Sequence, residues 1–145
     1  MTTLLTFSSG CSCAKALDSD LPHGANEHIE MRGPVVKNLS GTVFYPNDRA
    51  GKDVVIELYD ISRDPADVPV KEIVGWRDRR AACVTSSDGT FCFSDLPSGK
   101  YLLRVGTREP DGMQELYMRV TVDRSWFRAL FRRAKPLRLT LSVGT

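Results

Sequence analysis

The sequence lacks the features that mark several large classes of protein. None of its apolar runs approaches the roughly 18 residues that a membrane-spanning helix needs. Its 20 basic and 18 acidic side chains give a net charge of only +2, which is too small to indicate nucleic-acid binding. The chain has only two histidines, and it has no nucleophile motif of the Gly-x-Ser-x-Gly type. We therefore expect a protein that is not an enzyme, needs no cofactor and binds no nucleic acid.

What is present is typical of one globular domain preceded by a tail. The chain has 145 residues, of which 41% are hydrophobic, and folding a chain of this length buries about two thirds of its surface. Residues 1–33 are rich in Thr, Ser, Gly, Asp and Asn and show no sustained apolar period, so they predict a flexible tail. Residues 34–145 predict the folded domain.

The domain has the sequence pattern of a β-sandwich. Short runs of alternating apolar and polar residues recur at roughly ten-residue spacing, separated by turn residues. The predicted strands cover residues 35–45, 53–59, 81–85, 90–93, 101–105, 116–122 and 137–143. Residues 68–76 are either an eighth, irregular strand or a loop. Each strand offers one apolar face, and two sheets can hide these faces against each other.

One short helix is predicted before the last strand. Ser125 is a suitable N-cap, and Pro136 prevents the helix from continuing. Apolar residues occupy one side of this segment and basic residues the other, and residues 124–138 contain six basic side chains and no acidic one. Two interpretations are open. The residues Trp126, Arg128, Arg132 and Arg133 form an interaction patch for a membrane or a phosphate-rich partner, or the aromatic side closes the open end of the sandwich.

The middle of the chain resembles the carboxypeptidase regulatory-like domain family. The resemblance depends on Thr85-Ser86-Ser87-Asp88-Gly89-Thr90-Phe91-Cys92-Phe93, followed by Leu96-Pro97-Ser98-Gly99-Lys100-Tyr101. It also includes Ser40-Gly41-Thr42-Val43 and covers roughly residues 36–107 well. The resemblance implies an all-β, prealbumin-like (transthyretin-like) Greek-key sandwich of seven to eight strands, and it says almost nothing about function.

This family consists of accessory modules that support neighbouring domains or bind proteins and glycans. The resemblance therefore implies a non-catalytic interaction module, which we expect in the bacterial cell envelope with a protein or surface partner. The alternative is a carbohydrate-binding module of the starch-binding-like type, with exposed aromatics as stacking platforms. Those aromatics are Tyr45, Tyr59, Trp76 and Tyr117. The oligomeric state stays open.

Two cysteines lie on either side of the predicted hairpin turn. If residues 86–89 form a four-residue loop, Cys83 faces Cys92 on the outer side of the hairpin, at a distance close to disulfide reach. The sequence therefore predicts a Cys83–Cys92 disulfide. The alternative is two thiols in a cytoplasmic protein.

The other two cysteines lie in the tail. Ser9 and Gly10 precede Cys11 as small residues precede the lipidated cysteine of a bacterial lipoprotein, although the segment before them is short for a signal peptide. Cys11 is thus a candidate lipid-attachment site that would bring the protein to a membrane surface on the periplasmic or cell-surface side. The alternative is an ordinary tail on a cytoplasmic protein. A zinc site that combines Cys11 and Cys13 with the two histidines is disfavoured, since no apolar residues surround it.

Overall fold

The computed structural model describes residues 28–65, 67–76, 79–107, 114–125 and 136–142. These residues form an all-β sandwich of eight strands in two sheets with one short helix, which confirms the predicted fold class. The elements are β1 His28–Val36, β2 Leu39–Phe44, β3 Val55–Asp60, α1 Val70–Trp76, β4 Ala81–Val84, β5 Thr90–Phe93, β6 Gly99–Gly106, β7 Glu115–Val122 and β8 Leu137–Thr140.

The two sheets differ in size. The larger sheet has the strand order β1-β7-β6-β3-β4, and the smaller has the order β5-β2-β8. Most neighbours are antiparallel, but β1 pairs with β7, and β2 with β8, in parallel. Because the larger sheet is two strands wider, Met31 on the inner face of its edge strand β1 is 48% exposed; Val35, on the opposite face of that strand, is 37% exposed.

The core lies between the sheets and contains the alternating apolar residues that the sequence pattern predicts. On β3 it includes Ile56 and Leu58, and on β6 it includes Leu103 and Val105. Phe91 and Phe93 of the family motif also point inward, with their rings edge-to-face at 6.4 Å between centroids. The apolar alternation therefore identifies the inner faces of the strands correctly.

The single strand predicted over residues 35–45 is two strands. β1 and β2 belong to different sheets, and the chain bends between them at Lys37 and Asn38. β1 also begins at His28, inside the segment predicted as tail. Its exposed residues and mixed polarity hide the strand signal, because a strand at the edge of a sheet buries little of its surface.

The turn predicted between β4 and β5 is present, but the two strands that it joins do not form a hairpin. Gly89 has a φ of +80°, and its N–H donates to the Ser86 carbonyl at 2.9 Å, as expected for an Asp-Gly turn. However, β4 pairs with β3 and β5 pairs with β2, so the chain crosses from one sheet to the other at this turn.

The predicted Cys83–Cys92 disulfide is therefore wrong. Cys83 lies opposite Ile56 in the larger sheet and Cys92 lies opposite Ser40 in the smaller one. Cys83 is fully buried in the core and keeps its thiol. The two cysteines do not face each other because their strands do not form a ladder.

A helix replaces the irregular strand or loop predicted over residues 68–76. Pro69 precedes α1, and its carbonyl accepts the first backbone hydrogen bonds of the helix, from Glu72 and Ile73. The helix lies between β3 and β4 in the chain. The other predicted helix, after Ser125, falls outside the described residues.

Candidate functional site

The outer face of the larger sheet carries charged side chains that are shielded from solvent. Glu57, Arg104 and Glu115 lie on the neighbouring strands β3, β6 and β7, and they are 0%, 2% and 8% exposed. Glu57 is directly opposite Arg104 in the strand register. Because strand residues alternate, these three side chains point away from the core between the sheets.

Arg104 joins the two glutamates. Its Nη1 donates to Glu57 Oε2 at 3.1 Å. Its Nη2 and Nε donate to the two carboxylate oxygens of Glu115 at 2.8 and 3.2 Å. Such a two-point contact fits the planar guanidinium and is among the stronger hydrogen-bonded ion pairs. Burial opposes the charge on Arg104, but the hydrogen bonds and negative charge of Glu115 outweigh it and raise the pKa of Arg104.

Two tyrosines complete this network. Tyr59 donates its hydroxyl proton to Glu57 Oε2, and Tyr117 donates to Glu115 Oε2, both at 2.8 Å. Burial raises the pKa of each phenol well above its ordinary value, and the adjacent glutamate adds to the effect. Both tyrosines therefore stay neutral and act as hydrogen-bond donors to the glutamates.

A second arginine balances the charge. Arg79 lies just before β4, and its Nη1 is 3.5 Å from Glu57 Oε1. Among the described residues, the network then contains two arginines and two glutamates. Removing one member of a buried network of this kind leaves another charge uncompensated, which is costly in a medium of low polarity.

Apolar side chains cover the network from above. Val70, Ile73 and Val74 of α1 pack against the two tyrosines and Leu102 in a second apolar cluster. The central strands β3, β6 and β7 of the larger sheet are therefore buried on both faces, by the smaller sheet on one side and by α1 on the other. The network is enclosed beneath that second cover.

An open cleft of about 370 Å³ lies beside this cover. Its floor is formed by outward-facing side chains of β1 and β7, where Glu30 pairs with Tyr117 and Arg32 with Arg119 in the register. Its wall is the segment of residues 67–70 that leads into α1. The cleft thus lies where the edge strand meets the chain that covers the sheet.

The cleft has a mixed polar lining. Two arginines (Arg32 and Arg119) and two acids (Glu30 and Asp67) surround Tyr117. Arg119 donates from Nη2 to the Val68 carbonyl and so ties the floor to the wall. Tyr117 belongs both to the cleft and to the buried network, so the network fixes the position of the cleft floor.

His28, on the outer face of β1, lies next to the cleft. His28 packs edge-to-face on Tyr117, with 5.3 Å between ring centroids. Its Nε2 lies 3.3 Å from Glu30 Oε1. Among the described residues, no group of three or more His, Cys, Asp or Glu side chains is arranged to hold a metal ion.

The aromatics predicted as exposed stacking platforms are distributed differently. Tyr59 and Tyr117 are each only 4% exposed, so neither presents a free ring face. Tyr45 is half-buried and donates its hydroxyl to the Lys52 carbonyl at 3.0 Å. The side chain of Trp76 is outside the described residues. The prediction that Tyr59 and Tyr117 are exposed platforms for sugar stacking is therefore wrong.

The remaining predicted site residues are not among those that the structure describes. They are Cys11, Trp126, Arg128, Arg132 and Arg133. Asp60, the last residue of β3, accepts a hydrogen bond from the Ser62 N–H at 2.9 Å in a local turn. Partial burial opposes its ionisation, but the hydrogen bonds from Ser62 lower the pKa of the Asp60 carboxyl.

The alternating sequence pattern places the network residues on the polar faces of their strands. It does not predict that these residues are buried or that they contact each other. Glu57 and Arg104 alternate with core residues, and that pattern is typical of a solvent-exposed sheet face. A usable signal is that three neighbouring strands carry charges of opposite sign on this face. It becomes informative only when the strand order is known.

No protein-family model matches the chain, and no similar curated protein is found. The resemblance to the carboxypeptidase regulatory-like family therefore stays a prediction. Within the part of the chain that the structure describes, helices are too short or too polar to cross a membrane.

Proposed function

We propose that the protein is a non-catalytic interaction module that binds a protein partner through the cleft and the adjoining edge strand. The observation that carries this proposal is the cleft between β1, β7 and residues 67–70. Its two arginines and two acids suit a partner surface with charges of both signs. A rigid buried network supports its floor.

The edge strand adds a second means of binding. β1 pairs with β7 on one side and is the last of the described strands of its sheet, so the backbone groups of its other edge can accept an added strand. Met31 and Val35 provide exposed apolar contacts along the same strand. Apolar anchors beside polar groups are typical of protein-binding surfaces.

We place this module in the bacterial cell envelope, on the periplasmic or cell-surface side, with lipid attached at Cys11. The support is the Ser9-Gly10-Cys11 sequence and the polar segment that follows it, which would serve as a tether. A membrane-surface location would bring the cleft close to other envelope proteins. The resemblance to an accessory-domain family supports the same assignment.

Site-specific photo-crosslinking tests the binding surface. A photoreactive amino acid replaces Arg32 in the cleft and, as the control, Ser87 in the exposed turn between β4 and β5. Illumination of the native host cells should give a discrete crosslinked protein from position 32 and none from position 87. Equal crosslinking at both positions, or none at position 32 in a correctly folded variant, would contradict the proposal.

Mass spectrometry of the protein from its native cells tests the location. Cleavage before Cys11 with a diacylglycerol-sized mass addition is expected, and the variant Cys11→Ala should lose that addition and leave the membrane fraction. An unprocessed N-terminus without lipid would overturn the envelope assignment and leave the binding surface to be judged by crosslinking alone.

A further inference from the structure

The outer edge of β1 has no neighbouring strand among the residues that the structure describes. β1 pairs with β7 on its other side and ends the larger sheet. Glu30, Met31 and Arg32 in the middle of β1 are all exposed, and Met31 is 48% exposed. The backbone groups of such an edge can form hydrogen bonds with another extended chain. The charges along the edge indicate which chain fits it.

β1 is complementary to itself when two copies run antiparallel. In a symmetric antiparallel pair of identical strands, a twofold axis passes between the two copies of one residue. With the axis at Met31, Glu30 lies opposite the partner's Arg32, and Arg32 lies opposite the partner's Glu30. Directly opposed side chains have Cβ atoms about 4.5–5.5 Å apart, and a carboxylate and a guanidinium can form an ion pair across that gap.

We infer that a second copy of this chain binds this edge. The two β1 strands pair antiparallel about Met31 and join two five-stranded sheets into one continuous sheet. The inference rests on the edge-strand binding of the proposed function and names the partner at that edge. It leaves the cleft for a different protein.

The charges of β1 select this register over the adjacent ones. An axis at Glu30 places Arg32 opposite the partner's His28, and an axis at Arg32 places Glu30 opposite the partner's Pro34. Both shifts lose the two ion pairs that the axis at Met31 provides. Charged side chains on an edge strand ordinarily discourage pairing with other chains. Here the same charges favour one partner in one register.

The surroundings of these three residues fit the pairing. A twofold axis perpendicular to the sheet keeps equivalent faces on the same side, so the two Met31 side chains meet on the inner face and cover each other. The Glu30 carboxylate, whose Oε1 lies 3.3 Å from His28 Nε2, has the capacity to accept from a second donor. Glu30 and Arg32 also line the cleft, and the two clefts therefore adjoin across the axis.

Sedimentation velocity of the purified full-length chain, in reducing buffer, tests the inference. With rising concentration the parent should approach twice the 16.1 kDa mass of one chain. Glu30→Arg places arginine opposite Arg32, and Arg32→Glu places glutamate opposite Glu30. Because like charges then face each other twice, each variant should dimerise at least about tenfold more weakly than the parent. The control Lys100→Glu changes an exposed residue of β6 and should dimerise as the parent does.

A mixture of the two variants tests the register itself. In a mixed dimer of Glu30→Arg with Arg32→Glu, every position 30 lies opposite a position 32 of the other charge. The mixture should therefore dimerise about as strongly as the parent, which also shows that both variants are folded. A parent that stays monomeric at every concentration would overturn the inference. So would a dimer that neither substitution weakens, or variants that do not dimerise when mixed.

Crosslinking at position 32 separates this inference from the proposed function. A crosslinked product that contains only this chain supports the dimer, and a product that contains a second sequence supports the partner in the cleft. A monomeric chain that still crosslinks to another protein would overturn the dimer alone. A dimer that crosslinks to no other protein would overturn the proposed function alone.

Discussion

The two faces of the larger sheet are both buried at its central strands, but by different chemistry. On the inner face, residues such as Ile56 and Leu103 pack against the smaller sheet. On the outer face, Glu57 and Arg104 from the same two strands form an ion network beneath α1. Apolar packing tolerates small changes in shape, whereas a charge network requires every partner to be present. The outer face should therefore be the less tolerant of single substitutions.

The largest effect is expected from removing the central cation. Arg104→Met keeps most of the side-chain volume but leaves Glu57 and Glu115 buried without their shared partner. We expect a loss of about 3–5 kcal/mol in the free energy of unfolding, measured by urea denaturation. The matched control Lys100→Met changes an exposed cation of the same strand and should alter stability by less than about 0.5 kcal/mol.

Removing the whole network sharpens the same comparison. A variant that carries Glu57→Leu, Arg79→Met, Arg104→Met and Glu115→Leu removes all four charges of the network and should recover most of the stability that Arg104→Met loses. On the inner face, Leu103→Ala should cost about 2–5 kcal/mol, a loss that removing charges elsewhere cannot restore. If Arg104→Met costs less than about 1 kcal/mol, the network does not control the stability of this face.

The next effect is a loss of stability at alkaline pH. Tyr59 and Tyr117 have raised pKa values in the folded protein, while in the unfolded chain they ionise near the ordinary value of 10.0. Above pH 10 the unfolded chain therefore binds fewer protons than the folded one. The contribution of the two tyrosines to the free energy of unfolding is therefore fully present below pH 10. It falls as the pH rises above 10, by up to about 1.4 kcal/mol per pH unit for each tyrosine.

The double variant Tyr59→Phe, Tyr117→Phe checks this dependence. It should be less stable than the parent at neutral pH, since two glutamates lose a hydrogen bond. Between pH 10 and 11.5, however, its stability should fall less steeply. Parallel curves of unfolding free energy against pH for the two proteins would show that these tyrosines do not set the alkaline limit.

The inner face is the part of this molecule that sequence reasoning predicts well. Apolar alternation in β6 and β7 identifies Leu103 and Met118 as core residues, because burial on one face imposes a period of two. The turn at Asp88-Gly89 is also predicted, since its backbone angles demand particular residues. Both signals are local to a few consecutive residues.

The outer face and the cleft depend on which strands become neighbours. Glu57 and Arg104 are 47 positions apart in the chain, and nothing local indicates that they meet. The Cys83–Cys92 prediction failed for the same reason, because it assumed that strands joined by a tight turn pair with each other. α1 was missed since seven residues are too few to establish a helical period.

The smallest effect should come from the smaller sheet, whose outer face carries an exposed charge instead of a buried one. The Arg138 guanidinium lies over the Phe44 ring, 4.1 Å from its centroid, and 3.7 Å from the exposed Asp48 carboxylate. With 67% of that side chain exposed, solvent screens both contacts, so Arg138→Ala should cost less than about 1 kcal/mol. Arg138→Lys is the control that keeps the charge. Its free energy of unfolding should lie between those of the parent protein and Arg138→Ala. A loss above about 2 kcal/mol for Arg138→Ala in the same urea titration would contradict this difference between exposed and buried arginines. The contacts of Arg138 would then stabilise the fold about as strongly as the buried network around Arg104.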